Sequence, residues 1–410
     1  MTLESFHILT LYEVREILFQ HLEQNPAEFA LSFRNSPYPT HLLATQLKYL
    51  QRAKEKLPTF YEVAAIIPPL SYEQCSSEKA AESKNLRGKT CLDLTCGLGI
   101  DSLYFSKQFE KVTAIEKDFV LSEITKYNFH LLNINNLEII NTSAEDFLQN
   151  YEGEAFEVIY LDPSRRDDKG GKVFLPQDCS PNLREILPIL HQKGKKIVVK
   201  FSPLYDISAA QKDFPAISAI QVLSIENECK EMVLIFEEKK KPFEVEIVCC
   251  RKNAFFRFYF TQMNADLTAD SRRKEKITLA YLLLVPAFFL YEPDVAFYKA
   301  RLTTALFSTY YADCQGFLSH ETGFFFSTEK ITDFVGRTFQ VLEVWEYQPK
   351  KIKALLAKKK TYQANIIQRN FPFSVENIRK SLSLKEGGTY CMICTQIEGA
   401  TYVFYGERIS

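Results

Sequence analysis

The 410-residue chain is 46% hydrophobic and 25% charged, which excludes a disordered polymer and predicts one to three globular domains. Its formal net charge of -1 excludes a uniformly basic nucleic-acid coat but leaves room for a local basic face. Residues 1–5 lack the basic start and apolar core of a signal peptide, and the apolar stretch 277–290 is short and carries Pro286, so no membrane partner and a cytoplasmic location are expected.

Residues 1–85 predict a helical region, because Leu11, Val14, Ile17 and Leu18, and again Leu42, Leu43, Leu47 and Leu50, recur at helical spacing. Asn35-Ser36-Pro37-Tyr38-Pro39 separates the two patterns, Ile67-Pro68-Pro69 ends the second, and 71–77 reads as a polar loop. From 86 to 240 short apolar runs alternate with amphipathic stretches. Strands are predicted at 90–95, 111–116, 137–141, 156–161, 196–201, 219–225 and 231–237, with helices at 100–108, 121–132 and 183–190. Such alternation implies a doubly wound, mainly parallel sheet, closed by an antiparallel hairpin where the last two strands follow one another without a helix.

The charged run Glu237-Glu238-Lys239-Lys240-Lys241-Pro242 predicts a linker. Beyond it, 241–330 reads as an α+β domain, with strands at 243–250 and 255–260 and a helix at 294–310. Residues 331–410 read as a last unit, with a strand at 338–347, a basic helix at 350–360 and a hairpin of 390–396 with 400–405. Of the ten cysteines, Cys249-Cys250 and Cys391-x-x-Cys394 lie in strand-like runs with no second pair or histidine partner. Reduced structural thiols are expected there, and no metal.

Leu92-Asp93-Leu94-Thr95-Cys96-Gly97-Leu98-Gly99-Ile100-Asp101-Ser102 is a strand, a glycine-bearing turn and a helix start. Gly97 and Gly99 let backbone approach a ligand where a Cβ would collide, and free N–H groups at the helix start face its carboxylate. Asp93, Thr95, Gly97, Gly99 and Asp101 are therefore candidate cofactor contacts. Glu116 ends the second strand, where a carboxylate accepts both ribose hydroxyls of an adenosine. Ser102 stands where a dinucleotide site needs its third glycine, which argues against that class. Ser143-Ala144-Glu145-Asp146-Phe147 follows the third strand. There Glu145 or Asp146 can hold an adenine amine and Phe147 cover its face, although helix capping by Ser143 explains these residues equally well. Asp162-Pro163-Ser164-Arg165-Arg166 ends the fourth strand, at the sheet edge where open α/β folds place their chemistry.

These residues resemble those of class I RNA methyltransferases, whose Asp-Leu-x-Cys-Gly-x-Gly loop is matched by Asp93–Gly99, and more narrowly bacterial methyltransferases with a C-terminal THUMP-like domain. Glu73-Gln74-Cys75-Ser76-Ser77-Glu78, Asp162–Arg166, Lys200-Phe201-Ser202-Pro203, Tyr291-Glu292-Pro293-Asp294 and Gly336-Arg337-Thr338-Phe339 carry the narrower match. The resemblance implies S-adenosylmethionine as cofactor, RNA as substrate, and Ser76 and Ser77 as further cofactor contacts. It also implies an α/β fold: a Rossmann-like, seven-stranded class I methyltransferase core after an N-terminal helical region, followed by ferredoxin-like and THUMP-like α+β domains.

Three acceptor chemistries are open. Uridine C5 methylation needs a cysteine nucleophile, yet the fifth strand ends in Phe201-Ser202-Pro203 and Cys179 lies in an extended loop, which disfavours it. Amine methylation uses a carboxylate, a proline carbonyl and an aromatic; Asp162 and Pro163 supply two, and Arg165 can stack on a base in place of the third. Ribose 2′-hydroxyl methylation uses a Lys-Asp-Lys-Glu tetrad around a neutral lysine base, for which Asp162, Lys200, Glu231 and either Lys79 or Lys84 are candidates. From 337 to 385 lysine and arginine far outnumber acids, with Tyr362, Phe371 and Phe373 interleaved, a pattern that suits RNA docking. A methyltransferase of small molecules or proteins, and a non-catalytic RNA-binding relative, are the competing readings.

Overall fold

The computed structural model describes residues 1–164, 179–237, 242–261, 285 and 287–409; Arg165, Arg166 and most of the charged linker lie outside them. The chain forms two compact units. The first comprises Met1–Ile225, Lys230–Glu244 and Lys252–Phe255, and the second Glu226–Cys229, Val245–Arg251 and Phe256–Ser410.

The first unit begins with seven helices: α1 (Leu3–Thr10), α2 (Tyr12–Gln20), α3 (Pro26–Ser32), α4 (Thr40–Lys56), α5 (Pro58–Glu62), α6 (Pro69–Gln74) and α7 (Glu78–Ser83). On α4, Leu43, Leu47, Leu50 and Ala53 form the buried stripe, and Lys54 and Lys56 fall in the last turn, where cations suit the helix dipole. The segment expected to be a polar loop instead starts as α6. Pro69 stands at its first position, where a missing N–H costs nothing and a fixed φ suits the helix. The core of these helices continues into Leu98, Ile100, Leu103, Ala114 and Phe129 of the α/β layer. Buried Asn128 fastens the two, accepting from Ile66 N–H at 2.8 Å and donating to Ile66 C=O at 2.9 Å.

Seven strands follow: β1 (Gly88–Asp93), β2 (Phe109–Glu116), β3 (Leu137–Asn141), β4 (Phe156–Leu161), β5 (Gly194–Phe201), β6 (Ala219–Ile225) and β7 (Glu228–Glu237). They stand in the order β3-β2-β1-β4-β5-β7-β6. The first five are parallel, and β7 runs against β5 with Lys200 opposite Val233. Glu226 and Asn227, both at positive φ, turn β6 into β7 as the absence of an intervening helix predicts. Helices α8 (Ile100–Ser106), α9 (Phe119–Leu131), α10 (Ala144–Asn150), α11 (Leu183–Lys193) and α12 (Ile207–Asp213) connect the strands. Pairing of Asp93 with both Ala114 and Tyr160, and of Glu116 with Asn141, aligns the carboxyl ends of β1–β4 along one edge. The strand order reverses between β1 and β4, and open α/β sheets bind ligands at that crevice.

The second unit contains the neighbouring strands β8 (Glu244–Arg251) and β9 (Ala254–Thr261), then β10 (Phe288–Pro293), α13 (Val295–Lys299), α14 (Thr303–Tyr310), β11 (Phe317–Leu318), β12 (Phe325–Ser327), β13 (Gly336–Glu346), α15 (Pro349–Lys358), β14 (Asn365–Arg369), α16 (Val375–Leu382), β15 (Tyr390–Ile397) and β16 (Ala400–Arg408). The single helix expected over 294–310 is divided, with Arg301 at φ 58° between its halves. One sheet, β11-β12-β10-β13-β16-β15-β14, gathers strands from both stretches expected to be α+β domains. The long β13 makes this so, pairing with β10 from Phe288↔Val341 to Pro293↔Gly336 and with β16 on its other edge. Cys391 and Cys394 are buried in β15, and burial pushes the Cys394 thiol up to about 12.

Candidate cofactor and acceptor site

A cavity of about 570 Å³ opens at the carboxyl edge of the first unit's sheet. Leu94–Asp101 and Ile115–Lys117 form one side, Asp162–Ser164 with Ser202 another, and Glu73–Ser76 cover it.

The two glycines serve different ends. Gly97 has φ +56° and no atom within 4 Å of where a Cβ would stand, so that face is open. Gly99 has φ +79° and starts α8; a Cβ there would meet Phe129 Cζ at 2.6 Å and Thr125 Cγ2 at 2.8 Å. Close packing of the loop on α9 therefore demands the second glycine, and access to the cavity the first.

Asp93 does not line the cavity. It lies behind the loop, accepting from Ser102 Oγ at 2.5 Å and Thr95 N–H at 3.0 Å. Burial raises its carboxyl to about 7 despite these hydrogen bonds. Asp93 therefore shapes the turn. Glu116 is in the cavity wall, accepting from Gly97 N–H and Asp118 N–H at 2.8 Å each, and its carboxyl is raised by burial. Thr125 Oγ1 donates to Gly97 C=O at 3.0 Å, fixing the loop from the other side.

Of the adenine candidates, Glu145 lines the cavity while Asp146 is occupied in the cap of α10, where its N–H donates to Ser143 Oγ at 3.0 Å. Phe147 stacks on Tyr151 at 5.3 Å, and the apolar wall of the cavity comes from Ile115 and Leu121, which the sequence reading did not single out. Ser77 caps α7 by accepting from Ala80 N–H at 3.2 Å and stays out of the cavity, whereas Ser76 lines it.

Beneath the cavity the sheet edge carries a buried ionic chain. Lys200 Nζ reaches Asp162 Oδ2 at 2.6 Å, Ser76 Oγ at 2.9 Å and Glu231 Oε2 at 3.7 Å. Lys84 Nζ reaches Glu231 Oε1 and Asp101 Oδ1, each at 2.8 Å. Ser76 Oγ and Tyr160 OH donate to Asp101 Oδ2 at 3.0 Å each. The structure thus selects Lys84 over Lys79 as the fourth member beside Asp162, Lys200 and Glu231. Burial favours a neutral Lys200, but Asp162, Glu231 and Asp101 outweigh it and raise its pKa strongly. An ammonium so enclosed stays charged; instead of the neutral base expected for a ribose tetrad, the geometry offers Lys200 the work of holding Asp162. Thr95 Oγ1 accepts from Asp162 N–H at 2.6 Å, locking the end of β4 to the glycine loop. Pro163 lines the cavity beside Asp162, Cys179 is buried outside it, and Arg165 is outside the described residues.

In the second unit, Arg337 and Arg369 both turn to buried Glu292, at 2.6 and 3.4 Å. Lys359 pairs with Glu343. Lys350, Lys351, Lys353, Lys358, Lys360, Lys380 and Lys385 are exposed. Tyr362 and Phe373 are exposed, but Phe371 is buried in the core beneath α15 and α16.

Residues 336–408 match the THUMP domain-like family and residues 78–173 the family described as Conserved hypothetical protein 95. Ribosomal RNA small subunit methyltransferase J of Francisella tularensis subsp. novicida is 27% identical over 142 residues, 33% of this chain and 55% of that protein. The tRNA/tmRNA (uracil-C(5))-methyltransferase of Photobacterium profundum is 33% identical over 129 residues, 25% of this chain and 35% of that protein. The chain therefore spans about half the length of the first relative and less of the second. A crystal structure of a candidate methyltransferase from Porphyromonas gingivalis W83 is similar over 97% of this chain and 98% of its own, with a TM-score of 0.79 and 21% identity. At that identity the likeness establishes the fold. The chain thus shares the fold of that candidate methyltransferase, with residues 78–173 similar to the Conserved hypothetical protein 95 family and residues 336–408 similar to the THUMP domain-like family.

Proposed function

We propose that this chain is an S-adenosylmethionine-dependent methyltransferase acting on RNA. One observation carries the reading: an open glycine loop, the carboxylate of Glu116 and Asp162 all line a single cavity. The residues fit the cofactor. The open face of Gly97 admits it, Glu116 can exchange its hydrogen bond from Gly97 N–H for ribose hydroxyls, Ile115 and Leu121 give the adenine an apolar bed, and Glu145 offers an acceptor for its amine. When bound, S-adenosylmethionine supplies an electrophilic sulfonium methyl group.

The chain's own residues prepare the acceptor. Lys200 occupies Asp162 Oδ2, which leaves Oδ1 to accept a hydrogen bond from the attacking group and orient its lone pair. The Pro163 carbonyl, next along the wall, suits the second proton of an exocyclic base amine. A base amine is therefore the leading acceptor.

RNA as substrate is supported by the two RNA-methylating relatives, by the THUMP domain-like region and by the exposed lysines between 350 and 385. With an RNA substrate goes a cytoplasmic location; among the described residues no helix is long and apolar enough to cross a membrane. Calorimetry with S-adenosylmethionine, followed by transfer of its labelled methyl to total RNA, tests the proposal. Cofactor binding with label in RNA is expected. Label confined to protein or small solutes would refute the substrate, and absence of cofactor binding would refute the enzyme.

A further inference from the structure

The second unit carries a shallow groove of about 540 Å³, remote in sequence from the residues of the candidate site. Tyr347, Pro349, Phe373, Asn377, Lys380 and Ser381 line it. Phe373 is 45% exposed. Its backbone is fixed by the next residue: Ser374 caps α16, accepting from Asn377 N–H at 3.3 Å. The Phe373 ring lies 5.4 Å from that of Tyr347, inclined at 35°, and Tyr347 is itself held by Phe371 at 4.9 Å and by a 3.1 Å hydrogen bond with Ser381 Oγ. The result is a group of three rings in which Phe371 is buried in the core and Phe373 is exposed.

Its surroundings are cationic. Between 346 and 385 there are 10 lysines and arginines against Glu346 and Glu376. Lys380 stands in the groove wall, and Lys350 and Lys351 follow Pro349 on the first turn of α15. None of these three has a carboxylate within ion-pair distance among the described residues, and Lys353 bridges to Ser383 Oγ at 2.7 Å, joining α15 to the end of α16. A fixed aromatic face, an amide and a hydroxyl at its side and unpaired ammonium groups around it are the complement of an unstacked base and its flanking phosphates.

We infer that this groove is a subsite for a base of single-stranded RNA, with Phe373 as its stacking surface and Lys380 as a phosphate contact. The inference rests on the RNA reading above and narrows it. A duplex keeps its bases stacked on one another and cannot fill such a site, so the substrate enters with a loop, bulge or end exposed.

The test is fluorescence anisotropy of the full chain with a short fluorescein-labelled single-stranded RNA, across a salt series. Phe373→Ala is expected to weaken binding about tenfold or more, and Phe373→Trp to restore it. Lys380→Gln is expected to lower the slope of log affinity against log salt by about 0.7. Phe373→Ala binding like the unaltered chain would overturn the subsite, even with methyl transfer to RNA intact. Tighter Phe373-dependent binding of a polyglutamate peptide than of the RNA would overturn it also, assigning the groove to a protein. If the unaltered chain binds no RNA, the substrate reading falls together with the subsite.

Discussion

Lys200 donates to Asp162 across 2.6 Å, binding the end of β5 to the end of β4 at the wall of the cavity. The bond occupies one carboxylate oxygen and fixes the direction of the other. Asp162→Ala is therefore expected to lower the turnover rate by about 10²- to 10⁴-fold while leaving the cofactor dissociation constant within a few-fold. Single-turnover kinetics beside calorimetry checks both. Unchanged turnover would remove Asp162 from the chemistry.

The two glycines predict opposite kinds of failure. Gly97→Arg places a side chain in open space but at positive φ, so the protein should still fold, with a loss of about 1–2 kcal/mol, and bind no S-adenosylmethionine. Gly99→Ala drives a Cβ to 2.6 Å from Phe129 and should destabilise the fold itself, by about 1–3 kcal/mol. Denaturant unfolding of the two variants separates access from packing.

Removal of Lys84 takes from Asp101 and Glu231 the cation each meets at 2.8 Å, leaving Glu231 only the longer 3.7 Å pair with Lys200. Lys84→Met should cost about 3–5 kcal/mol, because breaking a buried pair strands the remaining charges. A double variant, Lys84→Met with Glu231→Gln, should recover part of that loss. Failure to recover any would show that the two side chains are not coupled.

Asp93 gives the fold a pH dependence of defined sign. Its carboxyl is raised to about 7, above its ordinary 3.8, so the folded state holds the proton more tightly than the unfolded chain. The associated stability is complete below about pH 4 and is lost as pH rises through about 7. In Asp93→Asn, which can still accept from Thr95 N–H and donate to Ser102, stability should fall less across that interval. Parallel melting curves from pH 4 to pH 8 test the difference.

In the basic stretch the individual lysines are not equivalent. Lys359 is paired with Glu343, whereas Lys358 and Lys360 are exposed without a carboxylate partner among the described residues. Charge reversal of Lys358 and Lys360 should therefore weaken RNA binding and flatten its salt dependence more than reversal of Lys359 does. Equal effects of all three would point to a diffuse field rather than contacts.

Much of the first unit was legible because parallel strands and their helices leave strong periodicity. The strands at 137–141, 156–161 and 219–225 coincide with β3, β4 and β6. The glycine loop was legible for a related reason, since a turn that needs positive φ restricts residue choice to a few types. What could not be read was direction. Asp93 and Gly97 share one motif, yet Asp93 is turned behind the loop to Ser102 while Gly97 opens on the cavity, and no local pattern in the sequence distinguishes the two. Likewise Ser143 and Asp146 spend their side chains on a helix cap, and Glu145 alone of that turn's acids reaches the wall. The union of Lys84 with Glu231 spans 147 residues and leaves no local signal. In the second unit, β14 carries Asn365, Gln368 and Arg369 in five residues and is too polar to stand out as a strand.

Methyl transfer from S-adenosylmethionine to RNA is proposed for the cavity between Asp162 and the glycine loop. RNA from a strain lacking this protein, incubated with the purified chain and labelled S-adenosylmethionine, digested and resolved by mass spectrometry, tests it most directly. The account predicts a single labelled nucleoside, methylated on a base amine and absent with the Asp162→Ala variant. Label on a base carbon, or a labelled nucleoside unaffected by Asp162→Ala, would contradict the assignment of the acceptor. RNA left unlabelled while the cofactor binds would contradict the substrate itself.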